Sequence, residues 1–171
     1  MQVKSCTANC NSNSGTWSAW TTVGSGTFRG KPSAVSRGSG LNDIFVQGMD
    51  GTLWATSYHS TGAGSFYQVR TDQLGWNASC PECYSPAADA RGTSLLDVTV
   101  RGQDDKAWIT TWSGGSSWSG YSPLGGVLAS SPGTVSRVRD SNRIDLIVFM
   151  KEETTTGTWT MAPWWDQTPA P

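Results

Sequence analysis

The segment Asp43-Ile-Phe-Val-Gln-Gly-Met-Asp-Gly-Thr-Leu-Trp54 returns as Asp97-Val-Thr-Val-Arg-Gly-Gln-Asp-Asp-Lys-Ala-Trp108 and again, lengthened, between Asp145 and Trp159. Each copy is a β-branched apolar run, a turn and a second short run ending in Trp, which predicts a β-hairpin. Trp54 and Trp108 are 54 positions apart, and Trp108 and Trp159 are 51 apart. A hairpin recurring at this period restricts the chain to a repeat architecture.

The flanking segments repeat as well. Pro32–Arg37, Pro86–Arg91 and Pro132–Arg137 each run from a proline to an arginine five residues on. Ahead of them stand Trp17-Ser-Ala-Trp20, Phe66-Tyr67-Gln68-Val69 and Trp118-Ser-Gly-Tyr121. Four strands per unit of about 50 residues is the signature of β-propeller blades. The second strand is apolar at nearly every position (Ile44-Phe45-Val46, Val98-Thr99-Val100, Leu146-Ile147-Val148). A strand with one covered face would alternate, so continuous apolarity predicts burial on both faces, as between stacked blades.

The expected fold is therefore all-β: a propeller of four-stranded blades, three per chain. The expected units are residues 17–64, 65–115 and 116–162, between an irregular extension (1–16) and a tail (163–171). Residues 70–84 form an insertion. Three blades are fewer than closed propellers contain, so the chain is expected to oligomerise. Two chains would give six blades, the Trp17–Trp20 strand of each completing the last blade of its neighbour. The rival expectation is that the sequence belongs to a longer propeller.

Charged residues make up 15% of the chain and the net charge is −1, so no basic footprint for nucleic acid exists. No apolar run approaches membrane-spanning length, and Met1-Gln2-Val3-Lys4 lacks the apolar core of a signal peptide. The cysteines form two local pairs, Cys6/Cys10 and Cys80/Cys83. Disulfides are the expected chemistry, in keeping with an extracellular location. A four-thiolate zinc site is the alternative, and the connectivity is open. Asn77-Ala-Ser79 is a glycosylation sequon.

Catalytic patterns are weak, and no enzyme activity or cofactor is expected. The single histidine, His59, lies in a Ser/Thr/Gly-rich loop. Asp43, Asp97 and Asp145 stand at strand starts, where backbone capping explains them. Asp104-Asp105 and Glu152-Glu153 read as solvated turns.

The aromatic residues are the informative set, since ten tryptophans in 171 residues require dense packing or a ligand. Trp54, Trp108 and Trp159 recur in every unit; Tyr58 and Trp112 lie four residues beyond the first two, on the same strand face. Inter-blade packing and sugar stacking are both open for them. Trp17, Trp20, Trp118 and Tyr121 sit on outer strands. Arg37, Arg91 and Arg137 supply either a structural clamp on the Asp residues or donors for sugar hydroxyls. One site per blade would raise avidity without new contacts.

The set Trp118-Ser-Gly-Tyr-Ser-Pro-Leu-Gly-Gly126, Ser131-Pro-Gly-Thr-Val-Ser-Arg137 and Asp97–Trp108 resembles the repeat of the Photorhabdus-type β-propeller lectins over residues 17–162. The resemblance implies binding of fucosylated glycans, often O-methylated, with galactose second, in sites between blades. Members of that family carry about seven blades in one chain. In the second unit Phe66 is read in place of the outer Trp and Ala90 in place of a strand Ser, which implies an altered site there. A protein-interaction propeller with purely structural tryptophans is the alternative. A glycoside-acting enzyme would need paired carboxylates that the repeats lack.

Overall fold

A computed structural model describes residues 1–59, 62–137, 140–153 and 159–169. In chain order the strands are β1 (Gln2–Val3), β2 (Cys6–Ala8), β3 (Thr16–Trp17), β4 (Thr21–Thr22), β5 (Phe28–Gly38), β6 (Leu41–Gly48), β7 (Leu53–His59), β8 (Gly62–Ala63) and β9 (Tyr67–Arg70). After a short 3₁₀ turn at Pro81–Tyr84 come β10 (Ala87–Gly92), β11 (Leu95–Arg101), β12 (Ala107–Trp112), β13 (Ser122–Gly125), β14 (Gly133–Arg137), β15 (Asp140–Glu153) and β16 (Trp159–Pro169).

These strands build propeller-type blades. Blade 1 orders β5-β6-β7 with β8 and β9 both on β7; blade 2 orders β10-β11-β12-β13; blade 3 is β14-β15-β16. All pairings are antiparallel and the register repeats. Val46 lies opposite Trp54, and Val100 lies opposite Trp108. In blades 1 and 2 the apolar second strands are buried on both faces as expected, with Phe45, Val46, Val98 and Val100 almost wholly enclosed; in blade 3 Leu146 and Val148 are buried but Ile147 between them is exposed, contrary to expectation. One apolar cluster joins Phe45, Leu53, Ala55 and Val69 of blade 1 to Leu96, Val98 and Val100 of blade 2. A second joins Ala107 and Leu128 to Leu146 and Val148 of blade 3. Burial of several such side chains at about 1.5–3 kcal/mol each is what holds adjacent blades face to face.

The link leaving each outer strand latches onto the next blade, a repeat not visible in the motif comparison. The amide of Leu74 donates to the Gly51 carbonyl, and that of Leu128 donates to the Asp105 carbonyl at the matching turn. Leu74 and Leu128 are both buried, and bridge onto Gly102 and Met150 of the following blade.

Four further expectations change. First, residues 1–16 are not irregular: Gln2–Val3 pairs with Thr21–Thr22 and Cys6–Ala8 with Thr16–Trp17. The Trp17 strand thus pairs within its own chain. Second, β16 continues to Pro169, through residues expected to be a tail. Third, the third hairpin is in register from Arg143/Pro169 to Glu153/Trp159, so Trp164, not Trp159, faces Val148 and holds the strand position of Trp54 and Trp108. The extra length comes from strands running four pairs further, and Lys151–Glu153 are strand rather than turn; the rest of the expected turn, residues 154–156, lies outside the described residues. Fourth, Ala63 pairs with Tyr58 as Trp118 pairs with Trp112. Ala63 therefore stands at the outer-Trp position of blade 1, while Phe66 corresponds to Tyr121.

Both cysteine pairs form disulfides, Cys6–Cys10 and Cys80–Cys83. No helix among the described residues is long and apolar enough to cross a membrane.

Candidate functional site

The β5–β6 hairpin of blade 1 brings Arg37 against Asp43, Nε to Oδ2 at 2.5 Å. Asp43 is also held by the Ser57 hydroxyl at 2.8 Å, from the neighbouring strand β7. Blade 2 repeats the construction. Arg91 grips Asp97 with two nitrogens, at 2.5 and 2.9 Å, and the Thr111 hydroxyl donates to the same carboxylate at 2.7 Å. Antiparallel register causes the match, since Asp43 lies opposite Ser57 and Asp97 opposite Thr111. The buried carboxylates are thus ion-paired and hydrogen-bonded to side chains, where the sequence suggested backbone capping. Paired carboxylate–guanidinium groups of this kind present fixed, directional donors and acceptors.

Arg37 reaches further than its own blade. Its Nη1 donates to the Thr93 carbonyl of blade 2 at 2.8 Å, and its guanidinium carbon is 4.9 Å from the centre of the Trp112 ring. The Trp112 indole N–H is engaged by the Gly115 carbonyl at 2.6 Å, which fixes the ring plane. Trp118 meets Phe45 edge to face, with centroids 5.5 Å apart. The Tyr67 hydroxyl is bonded to Trp118, and burial, opposed by that bond, raises its pKa above the usual phenol value.

Together these residues line a cleft of about 200 Å³ between blades 1 and 2: Arg37, Asp43, Ser57 and Tyr67 on one wall, Leu96, Trp112, Ser116 and Trp118 on the other. The matching cavity on blade 2, about 330 Å³, is lined by Arg91, Thr111, Ser113, Ser119 and Ser122 among others. The backbone position matching Trp112 in blade 3 is Thr168, opposite Ile144.

The other predicted aromatics gather at the opposite end of the strands. Trp54 Nε1 donates to both oxygens of Asp50 at 3.1 and 3.2 Å, and Trp108 Nε1 to Asp104 at 3.0 Å. Asp50 and Asp104 are both held below the ordinary carboxylate range: burial pushes up, but bonds from Thr52 and Trp54, and from Trp108 and Lys106, outweigh it. A larger cavity of about 600 Å³ lies beside Trp108 and Tyr121, with Arg70, Asp72 and Gln73 on its rim. The Tyr121 hydroxyl is buried there with no hydrogen-bond partner among the described residues, and burial raises its pKa far above normal.

Trp17 and Trp20 are mostly exposed on the N-terminal hairpin, away from both clusters, with Lys4 5.7 Å from the Trp20 ring. The side chains of Arg137 and Trp159 lie outside the described residues. His59 Nδ1 contacts the Gly40 carbonyl at 2.9 Å. Asp105 is not a solvated turn: it accepts from Tyr84, Arg101 and Lys151, joining the insertion, blade 2 and blade 3. The residues that motif comparison passed over, Ser57, Thr111 and Tyr67, are unexceptional in sequence; only the hairpin register brings the first two opposite Asp43 and Asp97.

No protein-family model matches the chain, and no curated protein matches it. Solved structures share its fold. The six-bladed β-propeller lectin of Aleuria aurantia matches with a TM-score of 0.54 at 18% identity, over 92% of this chain and 49% of that one. A form of that lectin bound to Fucα1-6GlcNAc matches at 0.51 and 17%, with the same coverage. The AofleA protein of Arthrobotrys oligospora matches at 0.54 and 10%, over 92% of this chain and 51% of that one. The chain thus spans about half the length of these solved structures.

Proposed function

We propose that the chain is a non-catalytic lectin that binds fucose first, O-methylated forms included, and galactose second, in the cleft between blades 1 and 2. The observation that carries this reading is the convergence of Arg37, Asp43 and Ser57 on a cleft walled by Trp112. An indole face takes the apolar C–H face of a pyranose, while guanidinium and carboxylate bind adjacent hydroxyls as donor and acceptor. Such a site stays selective because a misplaced hydroxyl would leave a buried partner unpaired. The fucose complex of a lectin with the same fold supports the choice of sugar.

Arg91, Asp97 and Thr111 form the polar half of a second, differently walled site, and Arg137 is assigned to a third. Trp54 and Trp108 are assigned to packing, since their N–H groups are held by Asp50 and Asp104. Two chains close a six-bladed ring, the strand around Trp17–Trp20 of each adding to β16 of the other, which would multiply sites per particle. Two disulfides suit an oxidising, extracellular setting.

The test is intrinsic tryptophan fluorescence during titration with methyl α-fucoside, with galactose and glucose in parallel. A saturable change, strongest for the fucoside, is expected. A folded protein with no response to any of the three would sink the lectin reading and favour a protein-interaction propeller.

A further inference from the structure

The N-terminal residues reproduce a strand that blade 3 also supplies. In blade 2, the Ser119 amide donates to the Thr111 carbonyl at 2.9 Å, and the Thr111 amide donates to Ser119 Oγ at 2.9 Å. At the N-terminus, the Ser18 amide donates to the Ser5 carbonyl at 2.8 Å, and the Ser5 amide donates to Ser18 Oγ at 3.1 Å. The registers agree too. Ile109 faces Ser122 and Trp108 faces Pro123; Val3 faces Thr21 and Gln2 faces Thr22. Trp112 bridges Trp118, and Cys6 faces Trp17. Gln2–Cys6 therefore stands to Trp17–Thr22 as the third strand of blade 2 stands to its fourth.

In blade 3 the third strand is β16, and among the described residues it pairs only with β15. The outward face of blade 3 is also bare. Ile147 holds the position of Phe45, two residues past the repeated Asp, yet it is 56% exposed where Phe45 is fully buried under blade 2. Val135 and Phe149 are exposed beside it. A face of this composition is completed by the next blade of a ring. The segment that would lead such a blade in is another copy's Trp17–Thr22.

We propose that Gln2–Cys6 is an internal cap, occupying the edge of Trp17–Thr22 that β16 of a second copy would pair with, so that the chain holds its own assembly edge closed. This rests on the two-chain ring proposed above. The occupant of the bare face is a second copy, because the strand position at its border is filled in each chain by a segment with the same register. Backbone pairing makes the two states exclusive: one strand edge accepts one partner. The Cys6–Cys10 disulfide ties the end of the cap into the turn leading back to Thr16, keeping the cap close to the edge it covers and favouring the closed state by proximity.

Two variants of the full chain test this by light scattering over a concentration series. Val3→Pro with Ser5→Pro removes two donors of the cap without touching the blades. Gln2→Cys with Thr22→Cys joins residues that lie directly opposite and locks it. The uncapped chain is expected to dimerise at concentrations at least tenfold below wild type, and the locked chain to stay monomeric throughout. A locked chain that dimerises as readily as wild type, or an uncapped chain that dimerises no more readily, overturns the cap. Methyl α-fucoside titration of all three proteins separates the readings, since the Arg37–Trp112 cleft lies within one chain. Masses that shift as expected with no sugar response would leave the cap standing and the lectin reading fallen.

Discussion

The guanidinium of Arg37 and the ring of Trp112 come from different blades and meet at 4.9 Å, while the same Arg37 is ion-paired with Asp43. One side chain thus fixes both the polar and the aromatic wall of the cleft. Trp112→Ala should remove the stacking face and raise the Kd for methyl α-fucoside at least tenfold, about 1.4 kcal/mol. Arg37→Lys should weaken binding as well, because an ammonium cannot hold Asp43, the Thr93 carbonyl and the indole face together. Trp108→Phe should leave sugar affinity within about twofold of wild type, a change of roughly 0.4 kcal/mol. Isothermal titration of the three variants checks these outcomes, and a large loss in Trp108→Phe would move the site to the other end of the strands.

Asp97 is completely buried and Arg91 nearly so. Arg91→Ala leaves a buried carboxylate without its cation and should cost about 3–5 kcal/mol of folding stability. Urea unfolding checks it. Replacing the pair together, Arg91→Met with Asp97→Leu, should recover much of that loss, since the penalty comes from the orphaned charge rather than from the absent attraction.

Asp105 gives a pH-dependent prediction. Burial raises its pKa, but hydrogen bonds from Lys151 and Tyr84 and the charge of Arg101 outweigh this and hold it below the ordinary value. A carboxylate lowered on folding stabilises the folded state above its unfolded value, about 3.9, and that contribution fades as pH falls through the folded value. Asp105→Asn should therefore cost about 1–2 kcal/mol near neutrality, discounted for its partial exposure. The gap to wild type should narrow below about pH 4. Urea midpoints at neutral and acid pH measure both.

Gly48 and Gly102 open the space for the two clamped indoles. A Cβ on Gly102 would sit 2.8 Å from Trp108 and from Asp104, and one on Gly48 would sit 2.6 Å from Trp54. Gly102→Ala should push Trp108 off Asp104, changing the near-ultraviolet circular dichroism and costing about 1–3 kcal/mol. An unchanged spectrum at unchanged stability would show that the indole clamp is dispensable.

The blades were legible because the hairpin repeat fixes strand, turn and strand at constant spacing, and because Ile44–Val46 and Val98–Val100 leave no polar face. The Arg–Asp pairing was one of two readings that the recurrence of Arg37 and Arg91 allowed. What the letters hid is register. Trp159 occurs where the motif predicts a tryptophan, but the third hairpin is longer and its pairing selects Trp164. Ala63 gives no aromatic signal, so Phe66 drew the comparison that belonged three residues earlier. The N-terminal strands lacked any apolar run; their pairing rests on backbone groups and Ser18, which no periodicity announces.

Among the described residues, side-chain hydroxyls bond across the innermost strands of successive blades. Ser33 Oγ accepts from the Ala88 amide at 2.9 Å, and the Ser136 hydroxyl donates to the Ala90 carbonyl at 3.0 Å. A hydroxyl on a rotatable stem keeps such a bond while the strands swivel by several degrees, whereas a ladder of amide bonds would break. Each junction near the axis is therefore a pivot rather than a weld. The angle between neighbouring blades is left to the bulk of the side chains packed further out, so small changes of volume there, with the shaft untouched, would decide how many wedges fill the circle.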